Sequence, residues 1–199
     1  MLSILPINLA AEMVELKERL YDADSPSRYI FPAEFKSYQK YHKNWLRLTD
    51  LELSEIHWNQ SVIFYTNTEK SKTVFYHNHI GFKKVEREEI DWQDFAFVSY
   101  PIGTVILKEH YTVAYNASAT PTFITLMIKR EKNYDALASD WQYVQFDTSG
   151  KILVNGHSRA KDVEECVECH QSVRSQDYVY ASYYRFPLTL DEDGELVVE

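Results

Sequence analysis

The chain has 199 residues, 45% of them hydrophobic, which is enough to bury one substantial core. A formal net charge of -9 argues against nucleic-acid binding, which needs a basic surface, and no run of apolar residues approaches the roughly 20 that span a membrane as a helix. Fifteen tyrosines and ten phenylalanines favour β-rich structure with a large apolar pocket.

The N-terminal part of the chain is predicted to be helical. Over residues 8–22, apolar residues recur at helical spacing behind Asn8, which can cap the helix. A polar connector follows this helix. We therefore divide the chain into an N-terminal helix and connector over residues 1–35 and a main domain over residues 36–190.

Strands dominate the main domain. Runs rich in β-branched and aromatic residues predict strands over residues 61–66, 104–114, 123–129, 141–146 and 152–154. In the second of these strands, alternation places Leu107 on one face and both Lys108 and His110 on the other. Because the strands follow one another with few crossover helices, the fold class is α+β, a mainly antiparallel sheet with packed helices.

The string Cys166-Val167-Glu168-Cys169-His170 contains both cysteines of the chain. In a C-x-x-C-H motif the two thiols can form thioether bonds with the vinyl groups of one haem, and the histidine that follows can bind the iron. We therefore predict one covalent haem c, bound through Cys166 and Cys169, with His170 as the iron ligand. The motif is expected on a C-terminal haem-binding helix over residues 160–172.

Three other interpretations of the cysteine pair fit less well. A structural zinc site needs four nitrogen or sulfur ligands, and the chain has no second cysteine pair. A thioredoxin-like redox pair belongs to a βαβ unit, whereas this pair follows a run of strands near the C-terminus. A disulfide between the two cysteines would close only a very small loop.

Four stretches, taken in chain order, resemble the cytochrome P-460 family, which includes the cytochromes c-prime beta. They are residues 62–67, residues 100–109 (Y-P-I-G-T-V-I-L-K-E), residues 140–147 (D-W-Q-Y-V-Q-F-D), and the C-x-x-C-H motif with residues 177–180. The resemblance implies a mainly antiparallel β fold, a homodimer and a five-coordinate haem. It also implies a small nitrogen-containing ligand, since some members oxidise hydroxylamine and others bind nitric oxide.

The resemblance implies roles for individual residues as well. Lys108 stands where the oxidising members join a lysine covalently to the porphyrin, which would make it a catalytic and cofactor-binding residue. Trp58 stands where members often place an aromatic residue over the distal haem face. Thr125 stands nearest to the position of a distal glutamate, and threonine cannot act as a base near neutral pH. We therefore expect an open haem that binds nitric oxide, with slow or absent hydroxylamine turnover.

Two alternatives to this interpretation stay open. The protein is either an enzyme, a hydroxylamine or nitric oxide oxidoreductase, or a gas-binding cytochrome without turnover. Alternatively, it is an electron-transfer cytochrome c in which a second side chain fills the sixth iron position. The candidates for that side chain are the methionines and the histidines His42, His57, His77, His79, His110 and His157.

The motif also predicts where the protein works. Covalent haem c is made after export, so we expect a periplasmic protein. The first eleven residues are a poor signal peptide, because they lack a positively charged start and have only a short apolar stretch. The negative net charge fits a soluble redox partner with a basic surface.

Overall fold

The computed structural model describes residues 9–22, 27–54, 60–114, 118–181, 188–190 and 196–198. This part of the chain contains four α-helices, a seven-stranded antiparallel sheet and a two-stranded hairpin, so the predicted α+β class is confirmed. The helices are α1 (Leu9–Tyr21), α2 (Tyr41–Asn44), α3 (Glu69–Glu86) and α4 (Glu164–His170). The strands are β1 (Leu46–Arg47), β2 (Glu52–Ser54), β3 (Gln60–Thr66), β4 (Val105–Val113), β5 (Ala119–Lys129), β6 (Trp141–Asp147), β7 (Ile152–Gly156), β8 (Leu188–Leu190) and β9 (Leu196–Val198).

The main sheet is largely a meander. Its strands lie in the order β1–β3–β4–β5–β6–β7, and β2 also pairs with β3. A tight turn joins β6 to β7 and brings the two strands side by side. Gly150 supplies the backbone φ of +85° that this turn needs, and the Asp147 carboxylate accepts hydrogen bonds from the Ser149 and Lys151 amides. Strands β8 and β9 pair only with each other among the described residues.

The first face of the sheet is covered by the N-terminal part of the chain. Buried side chains of β4 and β5, among them Leu107 and Ile124, pack in one cluster with Leu16 and Leu20 of α1. These two leucines are four positions apart and therefore lie on the same side of the helix, as the predicted amphipathic pattern requires. The N-terminal helix predicted over residues 8–22 is confirmed, and it belongs to the core of the sheet.

The second face of the sheet is covered by α3 and by the segment that contains the cysteine motif. Phe64 and Ile106 pack there with Val74 and Phe75 of α3, and the same cluster includes Val173 after the motif. Thr68 begins α3 by accepting a hydrogen bond from the Ser71 amide at 3.1 Å, which satisfies a donor that the first helical turn leaves unpaired.

A β-bulge interrupts the pairing of β4 with β5. The register shifts between Glu109 and Tyr111, which leaves His110 at the irregular position.

Strand β5 was expected to start after Pro121, but it begins at Ala119 and contains the proline. Proline is tolerated there because β6 pairs with β5 only from Phe123 onward, so this end of β5 is an edge strand on that side.

Candidate haem site

A cavity of about 240 Å³ lies between the second face of the sheet and α4. The sheet contributes Phe64, Ile106, Lys108, Thr125, Met127 and Tyr143 to its wall, and the motif contributes Cys166, Cys169 and His170. The fold therefore brings Lys108 together with all three motif residues, although they are distant in sequence. Trp58, the remaining predicted site residue, lies outside the described residues, as does His57.

The two cysteines lie on the short helix α4, and neither forms a disulfide. Cys166 is partly buried and Cys169 is exposed. Burial raises the pKa of the Cys166 thiol, and the neighbouring Glu165 adds to that effect. The Tyr180 hydroxyl fixes the second cysteine by donating a hydrogen bond to its carbonyl at 2.7 Å.

His170 is held as a neutral imidazole. Its Nδ1 lies 2.6 Å from the carbonyl oxygen of Tyr178, and because a carbonyl only accepts, Nδ1 carries the proton. Burial, together with the nearby Lys108 ammonium, lowers the pKa of His170 to about 4. The ring also makes edge contacts with Tyr143 and Tyr180. This tautomer leaves the lone pair on Nε2, which is the form in which histidine binds a metal.

Lys108 enters the cavity from β4 and is only 5% exposed. Burial lowers the pKa of its amine to about 7, and negative charge on the nearby Cys169 and Cys166 acts in the other direction. Its Nζ lies 4.6 Å from the centre of the Phe64 ring. A substantial fraction of this amine is therefore neutral, and nucleophilic, near pH 7.

His110 lies next to the sheet wall of the cavity, on the same side of the sheet as Lys108 and Thr125. The bulge places its Nε2 3.2 Å from the Thr125 hydroxyl, and its ring stacks on Phe123 at 4.1 Å between centres. Alternation in the sequence correctly assigned His110 to the same face as Lys108. The contact with Thr125 was missed, because a β-bulge leaves no reliable signal in a single sequence.

Three histidines that were candidates for the sixth iron position lie outside the lining of the cavity. His42 contacts Glu109 at 3.0 Å on the first face of the sheet. His77 and His79 hydrogen-bond to the carbonyl oxygens of Ala96 and Ala181. Met127, by contrast, lines the cavity.

The donor set of the cavity fits a haem c. Two unpaired thiols on one helix, a neutral histidine directly after them and apolar sheet residues opposite are the groups that such a cofactor needs. Among the described residues, no cluster of three or more His, Cys, Asp or Glu is placed to hold a metal ion by itself. None of the helices in the described ranges is long and apolar enough to cross a membrane.

Comparison with known protein families matches residues 32–181 to the family Cytochrome P460. The matched range contains strands β1 to β7, the cavity and the cysteine motif. Searches among curated proteins and among solved structures found no match.

Proposed function

The chain belongs to the Cytochrome P460 family, a family of haem cytochromes, and from this premise we propose that it is a periplasmic mono-haem c protein whose open distal site binds small nitrogen compounds. Nitric oxide is the favoured ligand, and hydroxylamine is converted slowly or not at all. The observation that carries the proposal is the apolar cavity in which Cys166, Cys169 and His170 meet the sheet.

The motif residues have distinct roles in this proposal. Cys166 and Cys169 hold the haem through thioether bonds, and His170 binds its iron through Nε2. The haem supplies an iron centre that binds diatomic ligands and exchanges electrons. The carbonyl of Tyr178 keeps the imidazole in the required tautomer.

The sheet wall of the cavity supports the choice of ligand. Phe64, Ile106 and Met127 make much of this wall apolar, which favours a neutral diatomic molecule. Its polar residues include Lys108, Tyr143 and Thr125, and Thr125 stands nearest to the position that the resemblance gives to the family's glutamate. Glu109 faces away from the cavity, where Tyr41 and His42 hydrogen-bond to its carboxylate.

The position of Met127 favours one alternative, an electron carrier in which a methionine fills the sixth iron position. A visible spectrum of the ferrous protein separates the two functions. We expect a high-spin spectrum that changes when nitric oxide is added. A sharp low-spin α band that nitric oxide leaves unchanged would instead establish the electron carrier, and Met127→Leu would then abolish that band.

We predict that haem attachment depends on both thiols. When the chain is exported in cells with a cytochrome c maturation system, its intact mass should increase by one haem. Cys166→Ser and Cys169→Ser should each lose one thioether bond and most of the attached haem, because each thiol bonds to one vinyl group. Glu164→Gln, a change of an exposed residue at the start of the same helix, is the control and should keep the full haem mass. An unmodified mass in the parent protein would contradict the proposed function.

We further propose that Lys108 is a second point of attachment. Its burial in the cavity and its lowered pKa of about 7 provide the neutral amine that such a bond requires. The bond would join the amine nitrogen to a porphyrin carbon in place of one hydrogen on each atom, which releases two protons and two electrons, so the attachment needs an added two-electron oxidant such as a peroxide. Protease digestion should then yield a haem joined to two separate peptides, one containing Lys108 and one containing the cysteine motif. Recovery of the Lys108 peptide without haem would show that the lysine only lines the cavity.

We also propose that two chains form a homodimer through the sheet and that a soluble, basic protein exchanges electrons with the haem. The family resemblance supports the dimer, and the net charge of -9 supports the basic partner. Light scattering at micromolar concentration should give twice the mass of 23.5 kDa. A monomer mass would contradict the dimer.

A further inference from the structure

A left-handed turn follows the cysteine motif and contacts it. Asp177 and Tyr178 have φ values of 53° and 66°, and neither is a glycine. An aromatic residue rarely adopts this conformation, which is strained and persists only where surrounding contacts enforce it.

Buried contacts hold Asp177 in this conformation. Its carboxylate oxygens lie 2.8 and 2.7 Å from Nζ of Lys129, and the exposed fractions of the two side chains are only 8% and 3%. The Tyr100 amide and the Ser139 hydroxyl donate to the same carboxylate. The indole N–H of Trp141 donates to the Asp177 carbonyl at 2.8 Å. We refer to Lys129 and Asp177 as the ion-pair clamp.

The clamp fixes the group that contacts His170. The carbonyl that accepts the imidazole proton belongs to Tyr178, the residue directly after Asp177. Backbone hydrogen bonds from Asp177 to Arg174 and from Tyr178 to Val173 close the turn and aim this carbonyl at His170. A displacement of Asp177 would therefore move the carbonyl directly.

Stability alone is a weak explanation for the clamp. An apolar pair of similar volume is often at least as stable as a buried ion pair, because two charges lose their hydration. This pair lies one residue from the carbonyl that holds His170. It therefore also affects the hydrogen bond of that histidine. Groups that hydrogen-bond to a metal-binding histidine set its orientation and its basicity.

We propose that Lys129 and Asp177 are positioning residues that set how strongly His170 donates electrons to the haem iron. This inference rests on the proposed function, because it assumes that His170 is the iron ligand. A short Nδ1–H···O bond increases electron density at Nε2, which strengthens the iron–histidine bond and stabilises the oxidised iron. The clamp keeps that hydrogen bond short.

Two clamp variants test the inference. Asp177→Asn keeps the shape of the side chain but removes its charge, and Lys129→Met combined with Asp177→Asn removes both charges, so that no buried ammonium is left unpaired. Glu109→Gln is the matched control, because it alters a buried carboxylate with polar partners on the opposite face of the sheet. Lys129→Arg keeps the ion pair.

The readouts are the midpoint reduction potential, the iron–histidine stretching frequency in the Raman spectrum of the ferrous protein, and the intact mass. In both clamp variants we expect a more positive potential and a lower stretching frequency with the haem still attached. Glu109→Gln and Lys129→Arg should keep the parent values. Parent values in the clamp variants with an attached haem would overturn this inference alone. A parent protein without haem would overturn the proposed function as well.

Discussion

Replacing Thr125 with glutamate is expected to raise the rate of hydroxylamine oxidation by about 10²–10⁴-fold, the contribution that a positioned general base typically makes. Thr125 pairs directly with Lys108 across β4 and β5, and both side chains line the cavity. A carboxylate at this position would therefore enter the cavity from the sheet and could take protons from a bound nitrogen compound. The threonine hydroxyl cannot do so near neutral pH.

The control for this variant is Thr125→Gln, which has nearly the same size and polarity but no basic group. Steady-state rates with an added electron acceptor should increase for the glutamate variant only, and that increase should vanish as the carboxylate is protonated at low pH. Equal rates in the two variants would show that a missing base does not limit turnover.

Rapid turnover by the unaltered protein would contradict the proposed function in a different way. It would mean that another group accepts the proton, and His110 is the group to test, since it lies 3.2 Å from the Thr125 hydroxyl. His110→Gln should then remove the activity and change its pH dependence. If His110→Gln had no effect on rapid turnover, the base would have to be a group other than His110.

The sequence predicted those parts of the site that depend on local patterns. Period-two alternation in β4 placed Lys108 and Glu109 on opposite faces, and the structure confirms this, since Lys108 lines the cavity and Glu109 contacts Tyr41. The C-x-x-C-H motif predicted that Cys166, Cys169 and His170 would lie close together, and all three line the cavity. The helix that contains the motif is shorter than the expected range 160–172, because it begins only at Glu164 and the chain continues into a 3₁₀-helix after His170.

The features that the sequence did not reveal depend on contacts between distant segments. The ion pair joins Lys129 to Asp177 across 48 positions in sequence, and neither residue stands out in its own strand or loop. The left-handed Tyr178 contradicts the intrinsic preference of tyrosine, so only tertiary contacts can enforce it. The partners of Glu109 come from α2, whose residues showed no chemical pattern by themselves.

In the chain without an attached haem, made in cells that lack a cytochrome c maturation system, Lys108→Met is expected to stabilise the protein at low pH but not at high pH. Burial lowers the pKa of the Lys108 amine from 10.5 to about 7. Between these two pH values the unfolded chain binds one proton that the folded chain does not, so the stability of the parent protein rises with pH across this window. Methionine fills a similar volume without a titratable group, and its variant lacks this dependence.

The size of this stabilisation follows from the shift in the pKa of Lys108. A difference of this size between the folded and unfolded pKa values corresponds to at most about 5 kcal/mol, fully present below pH 7 and lost as the pH approaches 10.5. Guanidinium unfolding of the parent and of Lys108→Met at pH 6 and pH 10 measures it, with the exposed Lys36→Met as the control that should show no such change. A gain independent of pH would contradict the lowered pKa. In the haem-loaded protein, the proposed attachment of Lys108 should instead make the parent more stable than Lys108→Met at every pH, because a cross-link restricts the unfolded chain. Greater stability of the haem-loaded Lys108→Met variant at low pH would contradict that attachment.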